Sequence, residues 1–546
     1  MTNTPQAKTG MTRSVMVVGA ATLSSRVTGL LRDVVLAWIL GASVQADAFF
    51  AAFRLPNFLR RIFAEGSLST AFVPVFTELN VTRGPKEAFR LGSNVLSILL
   101  PLLVTVSAAG VLLAPQIVAV MTPGWLGDEE KFSLTVTLAR WMFPYILLIS
   151  VAAMAMGMLN AQGHFAAPAF APVLLNVAMI CSGIIAGLTM DKPVLGIAWG
   201  VLFGGIAQIA IQAFPLWKRG FRPKICLDLK DPHLKKVGRL FVPSLFGSTV
   251  YQVNMLVITI LASLLPSGSL SYLFYADRLM EFPLGVFAVS VGTVALPAMS
   301  AHAARRDMKD LEATLSFAFR QVSLIMVPAT VGLIVLREPL MEVIFQRGQF
   351  DPQATKLSAQ ALLCYSVGLW FVAQLRVIGP FFYALQDTKT PMVAATSSLV
   401  INVLLAMALM DPLSHAGLAL ALSGSAAFQL AILLVRIKSK LGMIPWKDLF
   451  KNFEKILLAS CVMGAICLLG PGFLGLREGI PFLLKAAALL GLVLGGASIY
   501  VASLGLLKVD DLKVFLDSLR RLDRARTNGV AEEKKDSPPT RKGWKI

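Results

Sequence analysis

The chain has 546 residues, of which 56% are hydrophobic and only 15% charged, against about 45–50% apolar and about 25% charged in soluble domains. That composition excludes a soluble globular protein. A net charge of +19 would raise the question of nucleic acid in a soluble chain, but here Lys and Arg lie mostly between apolar stretches. There they read as orientation signals, with no nucleic-acid partner.

Crossing ~30 Å of hydrocarbon takes roughly 20 residues of helix. In chain order the apolar stretches predict helices over 14–40, 45–77, 91–121, 132–159, 168–188, 194–217, 236–264, 270–300, 313–335, 355–385, 391–411, 416–437, 454–472 and 481–507. The fold class is therefore an all-α polytopic membrane protein with about fourteen transmembrane helices. The first segment carries Arg26, Arg32 and Asp33, which breaks the uninterrupted apolar core of a signal peptide, so it is expected to stay as helix 1.

Short cytoplasmic loops carry the positive excess. One set of alternate loops holds Arg83, Lys86 and Arg90, the eight bases from Lys218 to Arg239, then Arg305, Arg306 and Lys309, and finally the bases from Arg436 to Lys451. The other set has no base in 41–46 or 265–269, and in 122–131 it sets Asp128, Glu129 and Glu130 against Lys131. Both termini are thus expected on the cytoplasmic side of the membrane. From Lys508 the charged tail has no apolar period and reads as a short amphipathic piece followed by disorder.

An internal similarity organises the rest. Arg54-Leu55, Phe58 and Ile62-Phe63-Ala64 recur as Arg278-Leu279, Phe282 and Val286-Phe287-Ala288, an offset of 224 residues; Pro115 and Pro339 share it, and Asn176 and Asn402 lie 226 apart. The offset spans six predicted helices, so two lobes of equal orientation are expected, related by an axis along the membrane normal. The expected domains are 1–217, 218–437, an extra helix pair in 438–507, and a cytoplasmic tail from 508 to 546.

Charges inside apolar helices mark the candidate site. Arg26, Arg32, Asp33, Asp47, Arg54, Arg60, Arg61, Glu65, Asp277, Arg278 and Glu281 fall in helices 1, 2 and 8. Each would cost about 2.5–3.5 kcal/mol near the bilayer centre by insertion scales, so they must face a cavity or one another. Arg54, Arg61 and Glu65 are spaced to share a face of helix 2, and Pro56 is expected to kink it. Arg376 in helix 10 extends the basic set. Arginine outnumbers lysine here, and a guanidinium binds phosphate bidentately and stays charged when desolvated, so the cavity suits a phosphate or pyrophosphate. The alternative reading is that these charges are internal ion pairs holding helices together.

No catalytic or metal constellation stands out. His164, His233, His302 and His415 are far apart in sequence, the five cysteines are scattered, and no phosphate-binding glycine loop occurs, so no cofactor or metal is expected and an ATP-driven pump is disfavoured. Energy would come from the membrane potential, a monovalent-ion gradient or the substrate's own gradient.

The runs Ser25-Arg26-Val27-Thr28-Gly29-Leu30-Leu31-Arg32-Asp33, Ala46-Asp47-Ala48-Phe49-Phe50 and Arg54-Leu55-Pro56-Asn57-Phe58-Leu59-Arg60-Arg61-Ile62-Phe63-Ala64-Glu65-Gly66 strongly resemble the MviN/MurJ lipid II flippases. Tyr275-Ala276-Asp277-Arg278-Leu279-Met280-Glu281-Phe282-Pro283 and Gln386-Asp387-Thr388-Lys389-Thr390-Pro391 are similar to further signatures of that family. The resemblance implies a multidrug/oligosaccharidyl-lipid/polysaccharide exporter fold, two six-helix lobes around a central cavity, with two extra C-terminal helices forming a groove for a polyprenyl tail. It also implies a transporter rather than an enzyme. Lipid II, the undecaprenyl-pyrophosphate-linked peptidoglycan precursor, would be the substrate, with membrane lipids and cell-wall synthesis proteins as further partners. Arg26, Arg32, Arg60 and Arg278 match the family's functional arginines, and Asp47 matches an acidic position; Asp47 and Asp277 would hold unoccupied arginines and close the periplasmic gate. Relatives with sodium coupling carry an acidic residue inside helix 7, whereas residues 241–263 here offer only Asn254 as an obvious oxygen ligand. Rivals are a drug exporter of the same fold, a polyprenyl-phosphate glycosyltransferase using Asp277 or Asp387, and a scaffold for cell-wall synthesis.

Overall fold

The structure is a computed structural model that describes residues 5–60, 69–247, 249–442, 446–473 and 481–513. Among the described residues it is all-helical, with no strand. In chain order the helices are α1 (Pro5–Leu40), α2 (Val44–Arg60), α3 (Ser69–Thr82), α4 (Pro85–Leu112), α5 (Ala114–Met121), α6 (Glu129–Met142), α7 (Tyr145–Ala161), α8 (Ala166–Thr189), α9 (Pro193–Lys218) and α10 (Pro232–Gly247). They continue with α11 (Thr249–Ser263), α12 (Ser269–Pro283), α13 (Val289–Ala304), α14 (Met308–Val335), α15 (Arg337–Phe345), α16 (Pro352–Ala384), α17 (Lys389–Leu441), α18 (Trp446–Leu449), α19 (Phe453–Phe473) and α20 (Phe482–Leu506).

Ten helical segments among the described residues are long and apolar enough to cross a membrane. Counting α1, the α2/α3 pair and the α10/α11 pair as spans, and α17 as two, would give fourteen. Ser414, at φ 51 and ψ −134, divides α17 into two helices beside Pro412, where the sequence predicts the break between 391–411 and 416–437.

Other boundaries differ from expectation for identifiable reasons. The helix predicted over 91–121 starts at Pro85, whose ring is pre-set for a first helical turn, and ends before Pro115, with α5 following. The helix predicted over 132–159 is interrupted at Phe143-Pro144. Pro56 does not break α2, which runs helical to Arg60; Arg61 and Glu65 lie outside the described residues. A π-helical turn, Leu284–Ala288, follows Pro283 and joins α12 to α13. The start of the tail, expected as a short amphipathic piece, is packed: buried Asp511 accepts from Arg320 Nε (3.0 Å) and Asn452 Nδ2 (3.1 Å), and Val509 is buried beside it.

Two compact units emerge. The first comprises 1–281, 337–368 and 389–429; the second comprises 282–336, 369–388 and 430–546. In the first, α8 and α9 pack closely because Gly196, Gly200 and Gly204 present a bare strip. A Cβ there would collide with Ala186, Ser182 and Leu175 respectively, the small-residue packing that membrane helices use where no hydrophobic effect drives them together. The second unit is organised around an aromatic cluster of Phe319, Trp370, Phe450 and Phe453. Within that unit Trp370 and Gln374 both donate to Ser323 Oγ.

Candidate functional site

Unit one holds most of the charges singled out in the sequence, and two of its buried carboxylates, Asp33 and Asp47, each organise a cluster. Asp33 on α1 is the first. Arg32 donates from Nε (2.9 Å) and Nη2 (2.7 Å) to Asp33 Oδ1, and Arg278 Nε on α12 lies 3.1 Å from Oδ2. Arg278 Nη1 also donates to Glu281 (2.7 Å), and its guanidinium lies over the Phe274 ring at 4.7 Å. Arg32 Nη1 donates to Asn176 Oδ1 (3.0 Å), and Asn176 in turn donates to Ser25 O and Thr28 Oγ1. The carboxylate is enclosed, whereas the side chains of Arg32 and Arg278 keep 12% and 32% exposure. Two partly exposed cations held by one shielded anion can accept a second anion by exchanging partners.

Asp47 on α2 is the second carboxylate, and here expectation is corrected. Its partners among the described residues include no arginine, and it offers no open edge to a substrate. Its Oδ2 accepts from Lys131 Nζ (2.8 Å) and Gly268 N (2.7 Å), and its Oδ1 accepts from Ser271 N (3.0 Å) and Oγ (2.7 Å). It thereby caps the N-terminus of α12 from another helix, satisfying donors that a helix start leaves orphaned. Lys131, also buried, lies 4.2 Å from the Trp125 ring. Around this pair Tyr275 Oη donates to Gly41 O (3.2 Å) and Gln349 N to Trp38 O (3.0 Å). Gly41 and Gly348 take positive φ there, and a side chain on Gly348 would strike Trp38. The three base-poor loops, 41–46, 122–131 and 265–269, thus meet at one end of the unit. At the other end base-rich segments meet, with Arg90 3.9 Å from Asp228 and Lys236 bonded to Glu78 at 2.7 Å.

The contacts of the first unit follow the 224-residue offset. Arg54 on α2 donates to Met255 O and Thr259 Oγ1 on α11, while its counterpart Arg278 on α12 reaches α1. Asn176 bonds to α1 and Asn402 bonds to Asn254 on α11 at 2.6 Å. Asp47 and Ser271, themselves one offset apart, touch.

The remaining candidates are more scattered. Arg26 is exposed on α1, seven residues before Asp33 and so on the same helical face. Arg60 Nε donates to Asn57 Oδ1 at 3.1 Å, and Asp277 is half-buried beside Arg278 in sequence. Arg376 belongs to the second unit and is exposed; a Cβ on Gly292 would collide with its carbonyl oxygen. Asp387, a candidate for polyprenyl-phosphate chemistry, pairs with Lys440 at 2.8 Å. His302 comes close to Asp307 and Asp310, a grouping invisible in sequence spacing, where Asp307 serves as the N-cap of α14 by accepting from Asp310 N.

Sequence reasoning missed Lys131, counted only as a loop base, and Asn176, used only as a repeat marker. The signal for Lys131 was available. A carboxylate inside an apolar run demands a cation, and Lys131 opens the next apolar stretch of a base-poor loop.

Buried ion pairs within a many-helix membrane bundle, partly exposed arginines among them and a two-fold contact pattern define a multi-pass membrane transporter. The solved structures agree. A lipid II flippase MurJ in an inward closed conformation matches over 90% of this chain and 99% of its own, at TM-score 0.73 and 28% identity. A multidrug resistance MATE family transporter of the MOP superfamily, in an inward-facing conformation, matches at TM-score 0.65 and 16% identity over 78% of this chain and 98% of its own, which shows the shared fold.

The family model of the lipid II flippase MurJ matches residues 36–484. A probable lipid II flippase MurJ of Vibrio cholerae is 39% identical over 77% of this chain and 82% of its own, and a lipid II flippase MurJ of Burkholderia cenocepacia is 34% identical over 85% and 92%. The chain belongs to the MurJ lipid II flippase family, a family of bacterial membrane transporters and not of enzymes.

Proposed function

We propose that this protein flips lipid II from the cytoplasmic to the periplasmic face of the bacterial inner membrane by alternating access. The observation that carries the reading, beside family membership, is Asp33 holding Arg32 and Arg278 together while both arginine side chains stay partly exposed. In this reading the pyrophosphate takes the place of Asp33 and Glu281 as partner of the arginines, and Arg26 and Arg60 complete the anion site. Asp47, bonded to Lys131, Gly268 and Ser271, is the periplasmic closure. Rocking of the lobes 1–217 and 218–437 then undoes that closure, with 438–507 carrying the polyprenyl tail.

Both termini would be cytoplasmic, since the base-poor loops meet at the end opposite the base-rich ones. Coupling would rest on the membrane potential, because Asn254 Oδ1 is already engaged by Asn402 and no carboxylate lies in 241–263. Cell-wall synthesis proteins are the natural partners for delivery and use of the substrate.

The test is depletion in the host with complementation by the unaltered protein, Arg26→Ala or Arg278→Ala, scoring lipid II accessible from the periplasm. Failure of both variants at normal membrane abundance is expected. Full restoration would return these arginines to the status of structural ion pairs.

A further inference from the structure

The segment joining α9 to α10 takes a path that a loop in water would not need. Residues 221–228 have no regular structure, yet they follow the side of α4 closely. Phe221 is buried against Phe89, with ring centroids 5.3 Å apart. Lys224 O accepts from Ser97 Oγ (3.3 Å), Cys226 N donates to the same hydroxyl (3.0 Å), and Lys224 N lies 3.5 Å from Ser93 Oγ. The chain then returns: Asp228 exchanges both backbone hydrogen bonds with the Asn94 side chain (2.9 and 3.0 Å), and its carboxylate lies 3.9 Å from Arg90. From Arg90 to Ser97 is about 10 Å along a helix axis. The segment therefore runs along α4 away from the base-rich end and comes back.

Backbone polar groups at membrane depth must be satisfied by protein, because the bilayer core offers no water. Ser93, Asn94 and Ser97 do that for the backbone groups of Lys224 and Asp228 and for the N–H of Cys226. Asn94 faces the segment, and the same helical face continues, at spacings of three and four, through Ser97, Pro101, Val104 and Ala108 to Leu112. Beyond the segment that face is exposed, with Val104 and Leu112 outward, as a lipid-facing stripe is.

The side chains of the segment alternate. Ile225, Leu227 and Leu229 are 94%, 66% and 66% exposed, while the residues between them carry the bonds to α4. Bases flank them: Lys218, Arg219, Arg222 and Lys224 before, Lys230, Lys235, Lys236 and Arg239 after. Arg222 stacks on exposed Trp217 at 4.4 Å, and Lys218 on exposed Phe214 at 4.4 Å, aromatic residues of the kind that sit at the membrane–water interface.

We propose that residues 222–229 form a re-entrant strap that inserts Ile225, Leu227 and Leu229 into the cytoplasmic leaflet beside α4, with the flanking bases on anionic lipid headgroups. Apolar residues interleaved with bases, beside interfacial aromatics, match the boundary of an anionic leaflet in both hydrophobicity and charge. The consequence for transport is that the connection from α9 to α10 is moored to α4 and the membrane, so motion between those helices is confined to the turn at Leu229–Asp231.

Full-length, cysteine-free protein carrying one of Ile225→Cys, Leu227→Cys, Leu229→Cys or Lys230→Cys is spin-labelled in vesicles of phosphatidylethanolamine and phosphatidylglycerol, and collision rates with oxygen and a water-soluble nickel chelate are compared. The oxygen-to-nickel ratio is expected to be several-fold higher at 225, 227 and 229 than at 230. Equal, nickel-accessible values at all four positions, the result for a water-exposed loop or a surface awaiting a soluble protein, would overturn the proposal. Adding Asn94→Ala with Ser97→Ala is expected to bring the ratio at 225 down to that at 230. An unchanged ratio would show that α4 does not hold the strap, and an unchanged ratio on replacing phosphatidylglycerol with phosphatidylcholine would overturn the headgroup contact.

Discussion

Asp33 and Asp47 are both buried carboxylates within the first unit, yet their surroundings assign them opposite behaviours. Asp47 is satisfied on both oxygens by four donors, including a buried lysine and two backbone N–H groups at the start of α12. Asp33 is held by two arginines whose side chains are partly exposed. A buried ion with every lone pair occupied by fixed groups is a lock, since breaking it leaves an uncompensated charge. One shared between long, partly exposed guanidiniums can be exchanged for another anion at much smaller cost, because the arginines are never left without water or a partner.

The largest expected effect is on the lock. Lys131→Ala strands the Asp47 charge and should destabilise the folded protein by about 3–5 kcal/mol, measured by thermal unfolding in detergent. Adding Asp47→Asn should recover much of that loss. No recovery would mean that Lys131 acts through packing on Trp125 instead.

Asp33→Asn comes next. It removes a partner from arginines that keep Asn176 and Glu281, so the stability cost should be smaller, about 1–3 kcal/mol. Binding of a pyrophosphate-bearing lipid should tighten while flipping slows. If Asp33→Asn cost as much as Lys131→Ala and left headgroup affinity unchanged, the distinction between lock and exchangeable pair would fail. The smallest effect should come from Ser271→Ala, which removes one hydroxyl donor among four, about 1 kcal/mol. Arg278→Lys sharpens the other side of the comparison. A lysine can still neutralise Asp33 but cannot bind phosphate bidentately, so stability should be largely kept and flipping lost.

Much of the candidate site was legible in the sequence because membrane energetics make intramembrane charge conspicuous. Arg32, Asp33, Arg54 and Arg278 stand out for that reason, and folding brings Arg32, Asp33 and Arg278 into contact. The 224-residue echo was also legible, and the exchanged contacts of Arg54 and Arg278 follow it. Which partner each finds was not legible. Arg278 reaches Asp33, whereas the residue one offset beyond Asp33 is Val257, so Arg54 takes the carbonyl of Met255 and the hydroxyl of Thr259. Lys131 and the mooring of 222–229 were hidden for a related reason. A loop base and a serine in an apolar helix have many ordinary explanations, and only the chain path distinguishes them.

What the sequence determined by itself is set by one-dimensional physics: apolar length against bilayer thickness marked out the helices, loop charge separated the two ends, and the repeat anticipated two-fold contacts. What only the tertiary structure decided is which buried charge meets which partner. That choice depends on distances between helices far apart in the chain, and a few ångströms there separate a closed ion pair from a site able to exchange it.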